Sequence, residues 1–166
     1  MAMNARTWSG GCQCGAVRFR AHGLGDAGFC HCRMCQKAFG SPGAALISVP
    51  VGELEWTRGT PAEFRSSPIV ARGFCDRCGT PLYMLEDDYP VYDMAMGAFD
   101  EPSALPPPDH VVGMESKVSW FDSLHALPGR TTAEDRAPED LARLRSLQHP
   151  DRDTEDTFPE GSDDGE

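Results

Sequence analysis

The chain has 166 residues, 40% of them hydrophobic and 25% charged, a size that predicts one domain, or one domain and a tail, rather than two full enzymatic domains. Its 17 Gly and 14 Pro disfavour a helical bundle, and 26 acidic against 15 basic side chains give a net charge of -11 that opposes contact with nucleic-acid phosphates or anionic lipid. No apolar run approaches the roughly 20 residues of a bilayer span, and Met1 to Gly11 lacks the basic and apolar regions of a signal peptide, so a cytoplasmic protein without nucleic-acid or membrane partners is expected.

In chain order, Gly15 to Ala21 sets Val17 and Phe19 against Arg18 and Arg20, which predicts a half-buried strand with the arginines on its outer face. Arg33 to Phe39 is the only helix-like stretch of the body, one to two turns ahead of the Gly40 to Gly43 turn. Ala44 to Val49, Glu53 to Thr57, Pro68 to Phe74, Thr80 to Leu85, Tyr89 to Gly97 and Asp109 to Met114 read as further strands separated by Gly, Pro and Asp. The body is therefore expected to be mainly β.

Charge marks a boundary near residue 133. Residues 134–166 hold 12 acids and 4 bases, net -8, whereas residues 1–133 are nearly neutral at -3. The expected organisation is a domain over 1–133 and an acidic extension over 134–166. Within the extension, Pro138 to Gln148 predicts a short amphipathic helix, with early acids, later arginines, and Leu141, Leu144 and Leu147 at helical spacing. Beyond His149 and Pro150 the composition is too polar to offset the entropy of ordering, and a disordered, solvating tail is expected.

Seven cysteines carry the chemistry: Cys12-x-Cys14, Cys30-x-Cys32-x-x-Cys35, and Cys75-x-x-Cys78 followed by Gly79. An odd count in closely spaced groups argues against a disulfide framework and for metal knuckles. A tetrahedral zinc site needs two pairs, and a Cys-x-x-Cys turn brings two thiolates to one metal at about 2.3 Å each. The economical partition joins Cys75 and Cys78 to Cys12 and Cys14, and leaves Cys30, Cys32 and Cys35 as a triplet whose fourth position is open, the mark of a catalytic rather than a structural site. Spacing alone leaves other outcomes standing: a redox dithiol at Cys75 and Cys78, or a triplet closed by a histidine such as His22 or His110. His31 lies between two ligands, with its ring expected to point away from the metal. Iron suits four thiolates as well as zinc does. Gly23, Gly25 and Gly28 spell GxGxxG, but they run into Phe29 and Cys30 rather than a long helix, which excludes a dinucleotide fingerprint.

The segments GGCQCGAVRF from Gly10, CHCRMCQKAFG from Cys30, FCDRCGTPLY from Phe74, MGAFDEP from Met96 and HVVGMESKVSW from His110 together resemble the glutathione-dependent formaldehyde-activating enzyme family, which also includes centromere protein V. The likeness runs from about Trp8 to Leu127. It implies a β-tent zinc-binding fold of small antiparallel sheets, a structural zinc on Cys12, Cys14, Cys75 and Cys78, and a second, catalytic zinc on Cys30, Cys32 and Cys35, two Zn2+ per chain. Gln13 departs from the family pattern, where many members have His. The acidic extension lies outside the resemblance.

The resemblance implies a carbon-sulfur lyase that forms and splits thiol-aldehyde adducts, such as S-hydroxymethylglutathione from glutathione and formaldehyde. The thiol and the aldehyde would then be its small-molecule partners. Arg33, Lys37, Arg65 and Arg72 are the cations placed by sequence to meet the carboxylates of glutathione, and Phe39, Trp56 and Trp120 are aromatic residues available to line a pocket. The competing reading is a non-catalytic binding module stabilised by two structural zincs.

Overall fold

Strand formation follows the alternation of side chains along the body. The computed structural model describes residues 6–155, which form ten short strands, three short α-helices and five 3-10 helical turns. A small antiparallel sheet runs in the order β1 (Trp8–Gly11), β2 (Arg18–Ala21), β5 (Leu54–Arg58). The other strands are β3 (Ala27–Cys30), β4 (Ala44–Pro50), β6 (Ala62–Arg65), β7 (Val70–Phe74), β8 (Pro81–Glu86), β9 (Tyr89–Ala95) and β10 (His110–Val112). They make a seven-stranded sheet in the order β10-β3-β4-β9-β8-β7-β6. Every strand pair is antiparallel except β10 with β3, which is parallel. The architecture is mainly β, as expected, although one of the two sheets is larger than the family resemblance implied.

The two sheets close on one apolar core. Phe19 of the small sheet is fully buried and meets Phe99 edge-on at 5.0 Å and Trp56 at 5.9 Å, while Ile47, Val49, Leu82 and Met94 of the large sheet are equally inaccessible. Trp56 continues through Tyr83 to Tyr92, at ring separations of 5.7 and 4.7 Å. Arg18 does not lie on an outer face as its alternation predicted. It is 3% exposed, and the carboxylate of Asp100 accepts from both terminal nitrogens of its guanidinium at 2.8 and 2.6 Å, which offsets much of the penalty of burying the charge.

The short helix α1 (Arg33–Phe39) coincides with the predicted stretch. Its start is capped by the Cys32 sulfur, which accepts from the Cys35 N–H at 3.4 Å, and it stops at Gly40 in the left-handed conformation. In the extension, α2 (Thr132–Asp135) opens with a capping box between Thr131 and Glu134 and straddles the expected boundary at 133. Next comes α3 (Pro138–Arg143), shorter than predicted: Leu144 leaves the helical conformation, and Leu141, Leu144 and Leu147 are all exposed, so little apolar burial is there to support a longer helix.

The stretch after the helix departs from expectation. His149 is 5% exposed, its N–H donates to the Gln13 carbonyl at 2.8 Å, and Asp153 binds both Arg18 and Arg20. Arg58 donates to the Thr154 carbonyl. Residues 149–155 therefore lie as a strap along the small sheet, held by ion pairs and hydrogen bonds rather than apolar burial. The rest of the expected disordered tail, residues 156–166, falls outside the described residues.

Candidate metal centres

The fold gathers the seven cysteines into two groups. The sulfurs of Cys12, Cys14, Cys75 and Cys78 lie within 4.8 Å of one another, and so do those of Cys30, Cys32 and Cys35. All seven are free thiols. Cys12 and Cys14 occupy the turn between β1 and β2, and Cys75 and Cys78 the turn between β7 and β8, so the four-cysteine group ties a hairpin of the small sheet to a hairpin of the large one.

Local backbone geometry makes both turns. Gly15, at φ 72°, and Gly79, at φ 76°, adopt the left-handed conformation directly after Cys14 and Cys78, and the Gly79 N–H donates to the Cys75 carbonyl at 2.8 Å. The Val17 N–H points at the Cys12 sulfur from 3.3 Å, and the Thr80 hydroxyl stands 3.2 Å from the Cys78 sulfur. Four sulfurs arranged tetrahedrally about one zinc ion, each bonded at about 2.3 Å, stand about 3.8 Å apart. Cys12 and Cys14 are 3.6 Å apart, and Cys14 and Cys75 are 3.8 Å apart. Spacing, donor type and neighbouring N–H groups all fit a closed tetrathiolate ion.

The triplet spans the end of β3 and the first turn of α1. Cys35 is buried, whereas Cys30 and Cys32 are partly accessible. Three sulfur donors leave one position of a tetrahedral ion without a protein ligand. Arg72 on β7, 6% exposed, lies against this group and donates from both terminal nitrogens to the Cys35 sulfur at 3.6 and 3.7 Å. Buried Gln36 donates to the carbonyls of His31 at 2.6 Å and Ser116 at 2.8 Å, and so fixes α1 against the segment after β10.

The thiols show why each group wants a cation. Burial pushes Cys30 and Cys75 up to about 12. Burial acts on Cys78 in the same direction, but donation from Thr80 and the Cys14 backbone outweighs it and brings that thiol down to about 6. Cys32 is likewise lowered, with burial overcome by the N–H groups at the start of α1 and by its two sulfur neighbours. Burial raises Cys35 against the pull of the Arg72 charge. Each group thus carries one lowered thiol beside raised ones, because burial raises the thiols and local N–H and O–H donors reverse it at Cys32 and Cys78.

No histidine joins either group. His22 is exposed near Glu55, His110 is exposed beside Asp109, and His31 is buried between the rings of Phe29 and Phe121 at 4.8 and 4.6 Å. Gln13 lies outside the four sulfurs and exposed, with its N–H on the Thr80 hydroxyl.

The four cations singled out from sequence separate. Arg65 is paired with Asp87 on the surface, while Arg33 and Lys37 are exposed on α1. They line a cavity of about 450 Å³ whose other walls include Phe64, Ser66 and Arg72. A second cavity, of about 260 Å³, shares Ala38, Phe64 and Arg72 with it and reaches Phe39 and Tyr83. Of the aromatic residues, Phe39 therefore lines a cavity, Trp56 packs in the core, and Trp120 is exposed. Sequence reasoning missed the contact of Arg72 with Cys35, because it joins elements far apart in the chain, and the buried role of Gln36, because its carbonyl partners carry no sequence signal.

The chain belongs to the glutathione-dependent formaldehyde-activating enzyme family, whose sequence model matches residues 7–113. A Halomonas elongata protein named "Putative glutathione-dependent formaldehyde-activating enzyme" is 32% identical over 125 residues, covering 68% of this chain and 78% of that protein. The crystal structure of a Rhodobacter sphaeroides protein superposes with a TM-score of 0.50 at 22% identity, covering 63% of this chain and 99% of the other, which supports the fold alone. The family match ends before α2, α3 and the strap.

Proposed function

We propose that the chain is a carbon-sulfur lyase acting on thiol-aldehyde adducts, with glutathione and formaldehyde as the founding pair, and that the Cys30, Cys32 and Cys35 group is its reacting centre. The observation that carries this reading is the inequality of the two groups: four sulfurs complete one tetrahedron, while three leave a position that a substrate thiol can fill. Cys12, Cys14, Cys75 and Cys78 would hold a structural Zn2+, and the triplet a second one. When bound at the triplet, the ion would lower the pKa of an incoming thiol and present it as a nucleophile.

The chain's own residues supply placement and charge. In the forward direction a sulfur-carbon bond forms between the thiol and the aldehyde carbon, the carbonyl π bond breaks, and the thiol proton ends on the new hydroxyl. Arg33 and Lys37, exposed on α1 at the mouth of the adjoining cavity, are placed for the carboxylates of glutathione. Arg65 is paired with Asp87 and does not line this cavity. Seven reduced thiols also suit a reducing, cytoplasmic setting.

Uncatalysed thiol addition to formaldehyde is already easy, so the test is a rate and not a yield. Exchange between free and adduct carbon in 13C-labelled formaldehyde with glutathione, followed by NMR, is expected to accelerate with the wild-type protein and to return to the uncatalysed rate with a folded Cys35→Ser variant. Equal acceleration by the two proteins would refute the reacting role of the triplet and favour a binding module.

A further inference from the structure

Arg72 is a buried cation without a carboxylate. Its Nε donates to the Ser66 hydroxyl at 3.0 Å, both terminal nitrogens meet the Cys35 sulfur, and among the described residues no acidic side chain pairs with it. A buried guanidinium calls for a compensating anion, and among the described residues the group that meets its terminal nitrogens is the Cys35 sulfur, which becomes anionic when the triplet holds a metal. The four-cysteine group differs. Its donors among the described residues are backbone N–H groups, including those of Ala16, Val17 and Cys78, and the Thr80 hydroxyl, with no cationic side chain.

That difference matches a difference in when the charge arrives. Four protein thiolates with a divalent ion carry two negative charges that are fixed at folding, among backbone N–H and hydroxyl donors. Three thiolates with a divalent ion leave one negative charge, and an exogenous thiolate in the fourth position adds another inside a partly buried site. We propose that Arg72 is a positioning residue that offsets the charge of the triplet centre and thereby lets its fourth position accept an anionic sulfur ligand. The inference rests on the reading of the triplet as the reacting centre and names what tunes it. Arg72 is suited by place as well as charge, since it forms the wall shared by the two cavities between α1 and the β6–β7 hairpin.

The test compares wild type with Arg72→Lys, which keeps the charge, and Arg72→Gln, which keeps a polar N–H donor, on a shorter side chain, without it. Each full-length protein is loaded with Co2+, and affinity at the triplet is measured by chelator competition through the sulfur-to-cobalt charge-transfer band, with the four-cysteine metal as the control for folding. Partners outside the ligand shell typically contribute about 10- to 100-fold to metal affinity. A loss of that order is expected in Arg72→Gln, and most of the affinity should survive in Arg72→Lys. Retention of wild-type affinity by Arg72→Gln, or equal loss in both variants, would overturn the role assigned to its charge.

A second arm adds 2-mercaptoethanol, a thiol without carboxylates, and follows the same band. Weaker thiol binding in Arg72→Gln than in Arg72→Lys supports the proposal. If wild type holds its second metal but takes no thiol, the thiol-aldehyde reading fails while the charge role is decided by the first arm. A wild-type chain that takes no second metal overturns both.

Discussion

Asp153, far along the acidic extension, binds Arg18 at 2.9 Å and Arg20 at 2.7 Å with its two carboxylate oxygens. Arg18 is itself clamped to Asp100, so the strap joins a buried ion pair that already links β2 to the turn after β9. His149, at the other end of the strap, covers Gly15 directly behind the Cys12 and Cys14 turn: a Cβ placed on Gly15 would stand 2.2 Å from its ring. An extension outside the family match has thus become part of the wall of the four-cysteine centre.

Asp153→Ala is expected to free the strap while the two sheets persist. Asp153 retains about a third of its side-chain exposure, so screening reduces the contribution of its two ion pairs to about 1 kcal/mol. Urea unfolding measures that difference. Hydrogen exchange at His149, whose N–H donates to Gln13, should accelerate in the same variant.

Acid should release the strap before it unfolds the body. Burial, together with the charges of Arg18 and Arg58 and against that of Asp100, holds His149 below its ordinary value of 6.5. The undocked imidazole therefore takes up a proton first as pH falls through about 6.5, and docking weakens from there downward. Burial works to raise the Asp153 carboxyl, but Arg18 and Arg20 outweigh it and hold it below its ordinary range. Its contribution is present above the usual carboxylate pKa and is lost as pH falls further. Chemical shifts of Gln13 and Gly15 followed from pH 8 to pH 4 check this, with His149→Gln expected to remove the upper part of the transition.

Asp100→Ala should cost far more than Asp153→Ala. It leaves Arg18, with a side chain 4% exposed, facing only the partly solvated Asp153, and breaking a buried pair by removing one partner typically costs about 3 to 5 kcal/mol. The lower end is expected here because Asp153 still pairs with the guanidinium. A thermal unfolding series on the metal-loaded proteins tests the ranking.

Removal of metal should separate the two centres. The four-cysteine group joins hairpins of different sheets, so Cys75→Ser is expected to lower the melting temperature sharply and to lose most of the stabilisation that added zinc gives, leaving only the part due to the triplet. Cys35→Ser should leave the sheets packed, because the triplet lies within one stretch of chain at the end of β3 and the start of α1. Calorimetry with and without a strong chelator distinguishes the two variants.

Local pattern accounts for what could be read from the sequence. Cysteine spacing suggested the same two groups that the fold assembles, since each pair sits in one tight turn and the triplet in one short stretch from the end of β3 into α1. The Arg33–Phe39 helix and the strands with clear alternation appear close to their expected positions. Three strands were missed: β1 is Trp-Ser-Gly-Gly, β3 lies at the end of a glycine-rich run, and β6 exposes most of its residues, so none has an apolar period to detect. The strap was missed for a different reason. Its partners Arg18, Arg20 and Arg58 lie 91 to 135 residues away, and an acidic segment shows no local sign that such cations await it. The same holds for Arg72, whose charge could be read but whose direction could not.

Counting metal per chain by elemental analysis, on wild type and Cys35→Ser purified without chelator and again after dialysis against glutathione, tests the two-centre reading most directly. Two zinc ions are expected in wild type and one in Cys35→Ser, with the second wild-type ion, but not the first, lost to glutathione. A Cys35→Ser protein that still holds two ions, or a wild-type protein whose two ions are equally indifferent to glutathione, would contradict an open, reacting triplet.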